Sequence, residues 1–360
     1  MVPKAGFEPA RGTPHQTLNL ARLPFRHFGL AFSLKFFIKK DLFCQQGIKM
    51  EIVNSVNEIT KPFSNAVVTV GNFDGIHLGH QMLFKKVIER AQDIGGTSVV
   101  LTFYPHPIEV LKRIHVPVIT PLPRKMELIA SKGIEVAICQ PFTKEFAQIT
   151  AEEFVKDILM QKIGMKEIIA GYDYSFGKGR EGNLDLLKKW GDELGFKVHV
   201  VGPIKVNGVV VSSTRVRELI QKGKVEKVKE LLGRYYQVTG KVIRGRDRGG
   251  RLLGIPTANL ALVNEVFPKL GVYAVEVIYQ GKNYPGAANI GFSPTFDNNA
   301  LSVETHILDF NQDIYGEEIK INFVKKLRDE RKFSSVEELA TQIKKDIETA
   351  RKVLSQFSIA

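Results

Sequence analysis

Two histidines three positions apart, His77 and His80, lie in Gly71-Asn-Phe-Asp-Gly-Ile-His-Leu-Gly-His80, directly after the β-branched run Ala66-Val-Val-Thr-Val70. A strand ending near Val70, a glycine-bearing turn and a helix starting inside His-Leu-Gly-His would put both imidazoles on one side of the first helical turn. In an open α/β sheet that place is the carboxyl edge, where helix N-termini attract phosphate. Imidazole N–H groups there can donate to the oxygens of a transferring phosphoryl group as negative charge builds on it. Gly79 removes a side chain where a nucleotide must come close. Two surface histidines or a metal-binding pair are the other readings, and a metal would want a third ligand that the neighbouring sequence does not offer.

The elements that must position these residues follow an alternating pattern. Val67 to Phe73 is strand-like, His80 to Ala91 has helical apolar spacing, and Ser98–Phe103, Val136–Ile138, Glu167–Ala170 and Lys197–Val201 are further strand candidates. Strands alternating with helices predict a parallel, Rossmann-like sheet wrapped by helices. After Leu231-Leu-Gly-Arg-Tyr-Tyr236 the texture changes. Tyr236–Ile243, Gly271–Ile278, Ser302–Leu308 and Glu318–Val324 follow one another with Gly, Pro and Asn turns between them, which predicts a small antiparallel barrel or sandwich. Ser335-Val-Glu-Glu338 fits a capping box for a last helix running to about Leu354. The expected organisation is therefore residues 50–233 as an α/β domain and 234–360 as a β-barrel domain with a C-terminal helix.

Further chemistry-bearing stretches sit in this frame. Gly171-Tyr-Asp-Tyr-Ser-Phe-Gly-Lys-Gly-Arg-Glu-Gly-Asn183 has aromatic faces for a flat ring and Arg180 for phosphate, or is a solvated surface loop. Pro256-Thr-Ala-Asn259 offers a hydroxyl and an amide oxygen two residues apart, hard ligands suited to Mg²⁺ held against nucleotide phosphates. Glu304 stands in an apolar strand-like run, either as a carboxylate accepting a substrate hydroxyl's proton or as an outward-facing surface residue.

Gly71–His80 resembles the His-x-Gly-His signature of the nucleotidylyltransferases, and Val211-Ser-Ser-Thr-Arg-Val-Arg217 resembles its partner motif. Gly249–Leu260 resembles the riboflavin kinase motif, with matches continuing through Gly271-Val-Tyr273, Asn289-Ile-Gly291, Pro294-Thr-Phe296, Val303–Phe310 and Lys326–Phe333. Both motif sets in this order, over residues 50 to 354, resemble the bacterial bifunctional riboflavin kinase and FAD synthetase family. The resemblance implies two ATP-dependent steps, phosphorylation of riboflavin to FMN by the C-terminal domain and adenylylation of FMN to FAD, with pyrophosphate release, by the N-terminal domain. His77 and His80 would stabilise the adenylyl transition state. Gly71, Phe73, Asp74, Gly79, Asp173, Arg180, Ser213, Thr214, Arg215 and Arg217 would bind nucleotide, the Ser/Thr cluster also being suited to capping a helix. In the kinase, Gly254, Thr257 and Asn259 would bind ATP, the last two with Mg²⁺, Glu304 would be the base, and Arg328 would meet flavin or phosphate. The family's usual Thr-Phe-Asp-Pro-His-Pro reads Thr102-Phe-Tyr-Pro-His-Pro107 here, so Tyr104 receives no role and His106 is read as structural. A nucleotidylyltransferase with another acceptor would leave Pro-Thr-Ala-Asn unexplained, and a flavin- or RNA-binding regulator would have little use for both histidines and Glu304.

The formal charge is +13, of which residues 1–49 carry +6, and no block of five or six adjacent basic residues occurs after them. This favours phosphorylated small molecules over nucleic acid as partners. The two cysteines, Cys44 and Cys139, have no ligand-like spacing, which fits a reducing cytoplasm. The apolar stretch Phe28–Leu34 is far short of the ~20 residues that span a bilayer. Residues 1–49 are expected to be a disordered extension from a miscalled gene start, with translation beginning at Met50; a basic, acid-poor transit peptide is the alternative. A small-molecule enzyme without membrane or nucleic-acid partner is expected, with at most a weak homo-oligomer.

Overall fold

The computed structural model describes residues 50–244, 255–293 and 300–356. The expectations for residues 1–49 and for Gly254 therefore lie outside the described residues. The first half is a six-stranded parallel sheet of β1 (Glu51–Val53), β2 (Ala66–Val70), β3 (Ser98–Tyr104), β4 (Val136–Pro141), β5 (Met165–Gly171) and β6 (Lys197–Val201), in the order β1-β4-β3-β2-β5-β6. Every residue of β2 is buried, because helices cover both faces of a parallel sheet and a central strand then has no solvent side. The helices are α1 (Leu78–Asp93), α2 (Pro107–Lys112), α3 (Leu122–Ala130), a short α4 (Ala151–Glu153) that runs into the π-helix Phe154–Lys162, and α5 (Leu184–Leu194). α1 turns Phe84, Val87 and Ala91 to the sheet, a 3.6-residue stripe.

A two-strand ribbon, β7 (Lys205–Val206) and β8 (Val209–Val210), leads to α6 (Ser213–Gln221) and α7 (Val225–Leu232). There follows a closed barrel of β9 (Tyr236–Ile243), β10 (Ala258–Leu262), β11 (Gly271–Tyr279), β12 (Lys282–Ser293), β13 (Ala300–Ile307) and β14 (Glu318–Asp329), ordered β10-β13-β12-β11-β14-β9 and antiparallel throughout. Closure removes the exposed edges that a small antiparallel sheet would present. The last helix, α8 (Val336–Ser355), is capped by Ser335, whose hydroxyl accepts from the Glu338 amide. The apolar stripes of α6 (Val216, Leu219, Ile220) and α7 (Val225, Val228, Leu231) share one core with barrel residues Val238, Tyr273, Val275 and Phe323. The approach to the barrel is thus packed, and no free linker intervenes.

Candidate active sites

At the end of β2 the chain folds through Phe73, Gly75 and Ile76, all at positive φ (48°, 83° and 38°), before α1 begins. His77 is the helix N-cap: its Nδ1 accepts from the His80 amide at 3.4 Å, which leaves the neutral ring's proton on Nε2. The two imidazoles stack, with centroids 3.6 Å apart and planes at 22°. Burial first, and the Arg234 guanidinium second, lower the His77 pKa to about 4. His80 is held well below the ordinary imidazole value by burial, then by His77, Lys125 and Arg234. At neutral pH both rings are uncharged N–H donors beside the Arg234 guanidinium. The buried Nδ1 of His80 and Oδ1 of the adjacent Asn72 have no partner among the described residues, which leaves hydrogen-bonding capacity for something else.

Several of the expected nucleotide ligands have contacts within this loop. Phe73 is buried, its ring meeting His80 edge-on at 5.2 Å and Phe84 at 5.0 Å. A Cβ on Gly71 would lie 3.0 Å from the Phe73 ring, and one on Gly79 would lie 3.1 Å from the His77 imidazole, so each glycine makes room for a neighbouring side chain. Asp74 is 3% exposed and its carboxylate accepts from the amides of Ile119 (3.0 Å) and Thr120 (3.1 Å) and from Arg217 Nη2 (2.8 Å). Arg217 also donates through Nε to the Pro117 carbonyl, and Ser213 donates to the Asp74 carbonyl at 2.8 Å. Asp74, Ser213 and Arg217 therefore fasten the start of α6 to the histidine loop. Thr214 is exposed and Arg215 half-exposed beside Glu218, so these two keep groups available at the same helix start, where Ser212 is the N-cap. Asp173 and Arg180 are exposed in the loop that follows β5, the strand next to β2, and hence at the same carboxyl edge; Arg180 donates to Ser175. Tyr104 is 55% exposed at the end of β3, and His106 caps α2 while its Nε2 lies 3.4 Å from the Asn72 amide nitrogen.

Local sequence patterns did not single out three groups around the histidines. Lys125, buried on α3, donates to the Asn72 carbonyl at 2.9 Å, and burial lowers its pKa. Arg234 donates to the carbonyls of Gly75 (2.8 Å) and Ile76 (3.1 Å), while Gln81 bridges the carbonyls of Ile76 (2.9 Å) and Leu232 (2.7 Å). They lie far along the chain or in an ordinary helix pattern, and only the fold brings them here.

The second constellation is on the barrel's outer face. Asn259 pairs with Glu304, and Glu304 pairs with Asn289 on its other side, so one row across β10, β13 and β12 reads Asn, Glu, Asn. Directly paired residues face the same side, and the neighbouring row Ala258, Thr305 and Ala288 is buried inside. Glu304 is half-buried, and burial raises its pKa, as suits a proton acceptor held out of water. Thr257 precedes β10 by one position, and the adjoining Pro256 carbonyl lies 2.8 Å from His306 Nδ1. The Thr257 hydroxyl and the Asn259 amide oxygen are hard donors suited to Mg²⁺, with Glu304 paired to Asn259 beside them. No cluster of three or more His, Cys, Asp or Glu able to hold a metal occurs among the described residues. Arg328, expected to meet flavin or phosphate, bonds Asp346 of α8 through Nε and Nη2 at 2.9 and 2.8 Å, fixing the helix to the barrel. α8 covers Ala287, two residues before Asn289 on the same face of β12.

The family profile described as FAD synthetase matches residues 59–215, and that described as riboflavin kinase matches residues 232–354. A bifunctional riboflavin kinase/FMN adenylyltransferase from Listeria monocytogenes is 41% identical over 80% of this chain and 92% of its own length. That from Escherichia coli K12 is 37% identical over 84% of this chain and 97% of its own. A solved Streptococcus pneumoniae protein described as a macrolide-efflux protein superposes with a TM-score of 0.77 at 35% identity, covering 84% of this chain and 99% of that one. No helix among the described residues is long and apolar enough to cross a membrane. Carrying both motif sets and matching these relatives over nearly their whole length, the chain belongs to the bifunctional riboflavin kinase/FMN adenylyltransferase family.

Proposed function

We propose that the two constellations divide the family's chemistry between them, in a chain that is a riboflavin kinase and an FMN adenylyltransferase. On the barrel face, Glu304 accepts the proton of the riboflavin 5′-hydroxyl as its oxygen attacks the γ-phosphorus of ATP, and ADP leaves. Thr257 and Asn259 would hold Mg²⁺, which supplies neutralising charge to the ATP phosphates when bound. At the histidine loop, an FMN phosphate oxygen attacks the α-phosphorus of a second ATP and pyrophosphate leaves. This attack removes no proton, so neutral His77 and His80 act as donors to the α-phosphoryl oxygens while Thr214 and Arg215 meet the departing phosphates. The observation that carries this reading is a stacked, uncharged histidine pair at a helix start together with a half-buried carboxylate flanked by two amides.

The α7 end at Leu232 and the β9 start at Tyr236 support a domain boundary near residue 233. The buried free thiol of Cys139 is compatible with a reducing cytoplasm, and the substrates are small molecules. Incubation with riboflavin, ATP and Mg²⁺, followed by chromatography of the flavins, should give FMN and then FAD. The double change His77→Ala/His80→Ala should abolish FAD formation and spare FMN formation. Loss of both activities in that folded variant would overturn the two-site assignment.

A further inference from the structure

We propose that Arg234, at the entrance to the barrel, is a positioning residue of the adenylyl-transfer site, clamping the backbone of Gly75 and Ile76 so that His77 and His80 face the α-phosphoryl group. This inference rests on the assignment of adenylyl transfer to the histidine loop. Ile76 is β-branched and sits at φ 38°, a conformation that an L residue adopts at a cost and that persists only where its surroundings over-determine it. The over-determination is visible. Arg234 Nη2 holds the Gly75 carbonyl at 2.8 Å, its Nη1 holds the Ile76 carbonyl at 3.1 Å, and Gln81 Nε2 adds a second bond to Ile76 at 2.9 Å. Gln81 reaches on to the Leu232 carbonyl at 2.7 Å, and Arg234 Nη1 lies 3.4 Å from the same oxygen. A Cβ on Gly233, at φ 66°, would come 2.9 Å from Leu78 Cδ2, so this segment packs directly on the first residue of α1.

Without the clamp Ile76 can relax to negative φ. That relaxation rotates the peptide joining Ile76 to His77 and swings the imidazole that caps α1. A donor moved by about 1 Å costs on the order of 100-fold in rate with the substrates still bound. The same guanidinium contributes to the electrostatics of the pair. The charged and titratable groups around the histidines are Arg234 beside His77, His80 stacked on it, and Lys125 and Arg234 beside His80; Arg124 and Tyr236 face Arg234 in turn.

The test uses the full chain with Arg234→Gln, Arg234→Lys and Gln81→Met, measuring FMN adenylylation from pH 4 to 9 and riboflavin phosphorylation in the same preparations. Arg234→Gln should lower kcat for adenylylation by about 10- to 100-fold with KM for ATP and FMN nearly unchanged, and leave phosphorylation within about twofold. Its acid limb should move to higher pH, because removing a cation lets His77 protonate more readily. Arg234→Lys should keep the wild-type acid limb yet still lose kcat, because an ammonium cannot fork to two carbonyls. Gln81→Met should give a smaller loss of the same kind, and it decides the matter should Arg234→Gln fail to fold. Unchanged adenylylation in a folded Arg234→Gln chain, equal loss of both activities, or an unaffected Gln81→Met would overturn the proposal. Absence of FAD formation in the wild-type control would instead overturn the assignment of adenylyl transfer itself.

Discussion

Asp74→Asn separates a ligand from a latch. The carboxylate is 3% exposed and takes two backbone amides and the Arg217 guanidinium. An asparagine can keep its oxygen on Ile119 and Thr120, but its amide then presents N–H groups to Arg217, whose side chain is 19% exposed. Removing one member of a buried pair costs about 3–5 kcal/mol, and the partial exposure of Arg217 favours the lower end, about 3 kcal/mol. For an α/β half of this size that lowers its melting temperature by roughly 6–12 °C. Calorimetry should show the fall, and Arg217→Met should restore much of it in the double variant, with a coupling of about 1.5 kcal/mol or more. Adenylylation should decline through kcat, since the tie orders α6 against the histidine loop. An unchanged melting temperature with a tenfold rise in KM for ATP would refute the latch and restore Asp74 as a nucleotide contact.

Glu304→Gln should lower riboflavin phosphorylation by about 100- to 10,000-fold while FMN supplied directly is still converted to FAD, as flavin chromatography would show. His77 titrates at about 4 in the folded chain against 6.5 unfolded, so the unfolded state gains its proton first as pH falls. The stability contributed by the neutral ring is complete above pH 6.5 and is lost between there and about 4, amounting to about 3 kcal/mol; denaturant melts of wild type and His77→Ala over that range measure it. Asp346→Ala should strand Arg328, cost about 3 kcal/mol and expose α8 to limited proteolysis. Arg328→Ala should loosen the same helix; a higher riboflavin KM with α8 still protected would return Arg328 to the flavin site.

The local periodicities made the larger elements legible. Val-Val-Thr-Val followed by a glycine turn and a 3.6-residue stripe became β2 and α1, and alternation along Ser302–Leu308 placed Glu304 on the opposite face from Val303 and Thr305. β1, three residues long, carries too little pattern to be seen, although it extends the sheet beyond β4. Charged residues inside recognised motifs were the harder case. Asp74, Arg217 and Arg328 have the residue types expected of phosphate or flavin contacts, and each also pairs with an opposite charge outside its own motif, Asp74 with Arg217 and Arg328 with Asp346. A sequence shows that a charge is present; only burial and partners show whether it serves a substrate or the fold. Asn289, His306 and Lys125 lay within view but acquire meaning from cross-strand or long-range neighbours.

On the proposed assignment of adenylyl transfer to the histidine loop, its charge arrangement bears on why two imidazoles are kept neutral where two anions would meet. FMN phosphate and ATP repel each other, so the site needs positive charge that does not depend on pH. Protonated histidines would supply it only in acid, and burial makes their protonation expensive. Arg234 supplies it, already bonded to the loop carbonyls of Gly75 and Ile76, while Arg215 sits at the start of α6. In that proposal the imidazoles would provide direction: short, rigid N–H donors that need not exchange a proton as negative charge grows on the α-phosphoryl oxygens. Replacing His77 and His80 by lysine would thus add positive charge to the loop and lose the ring geometry, and adenylylation should not survive. Wild-type-like FAD formation by such a variant would show that charge alone suffices there.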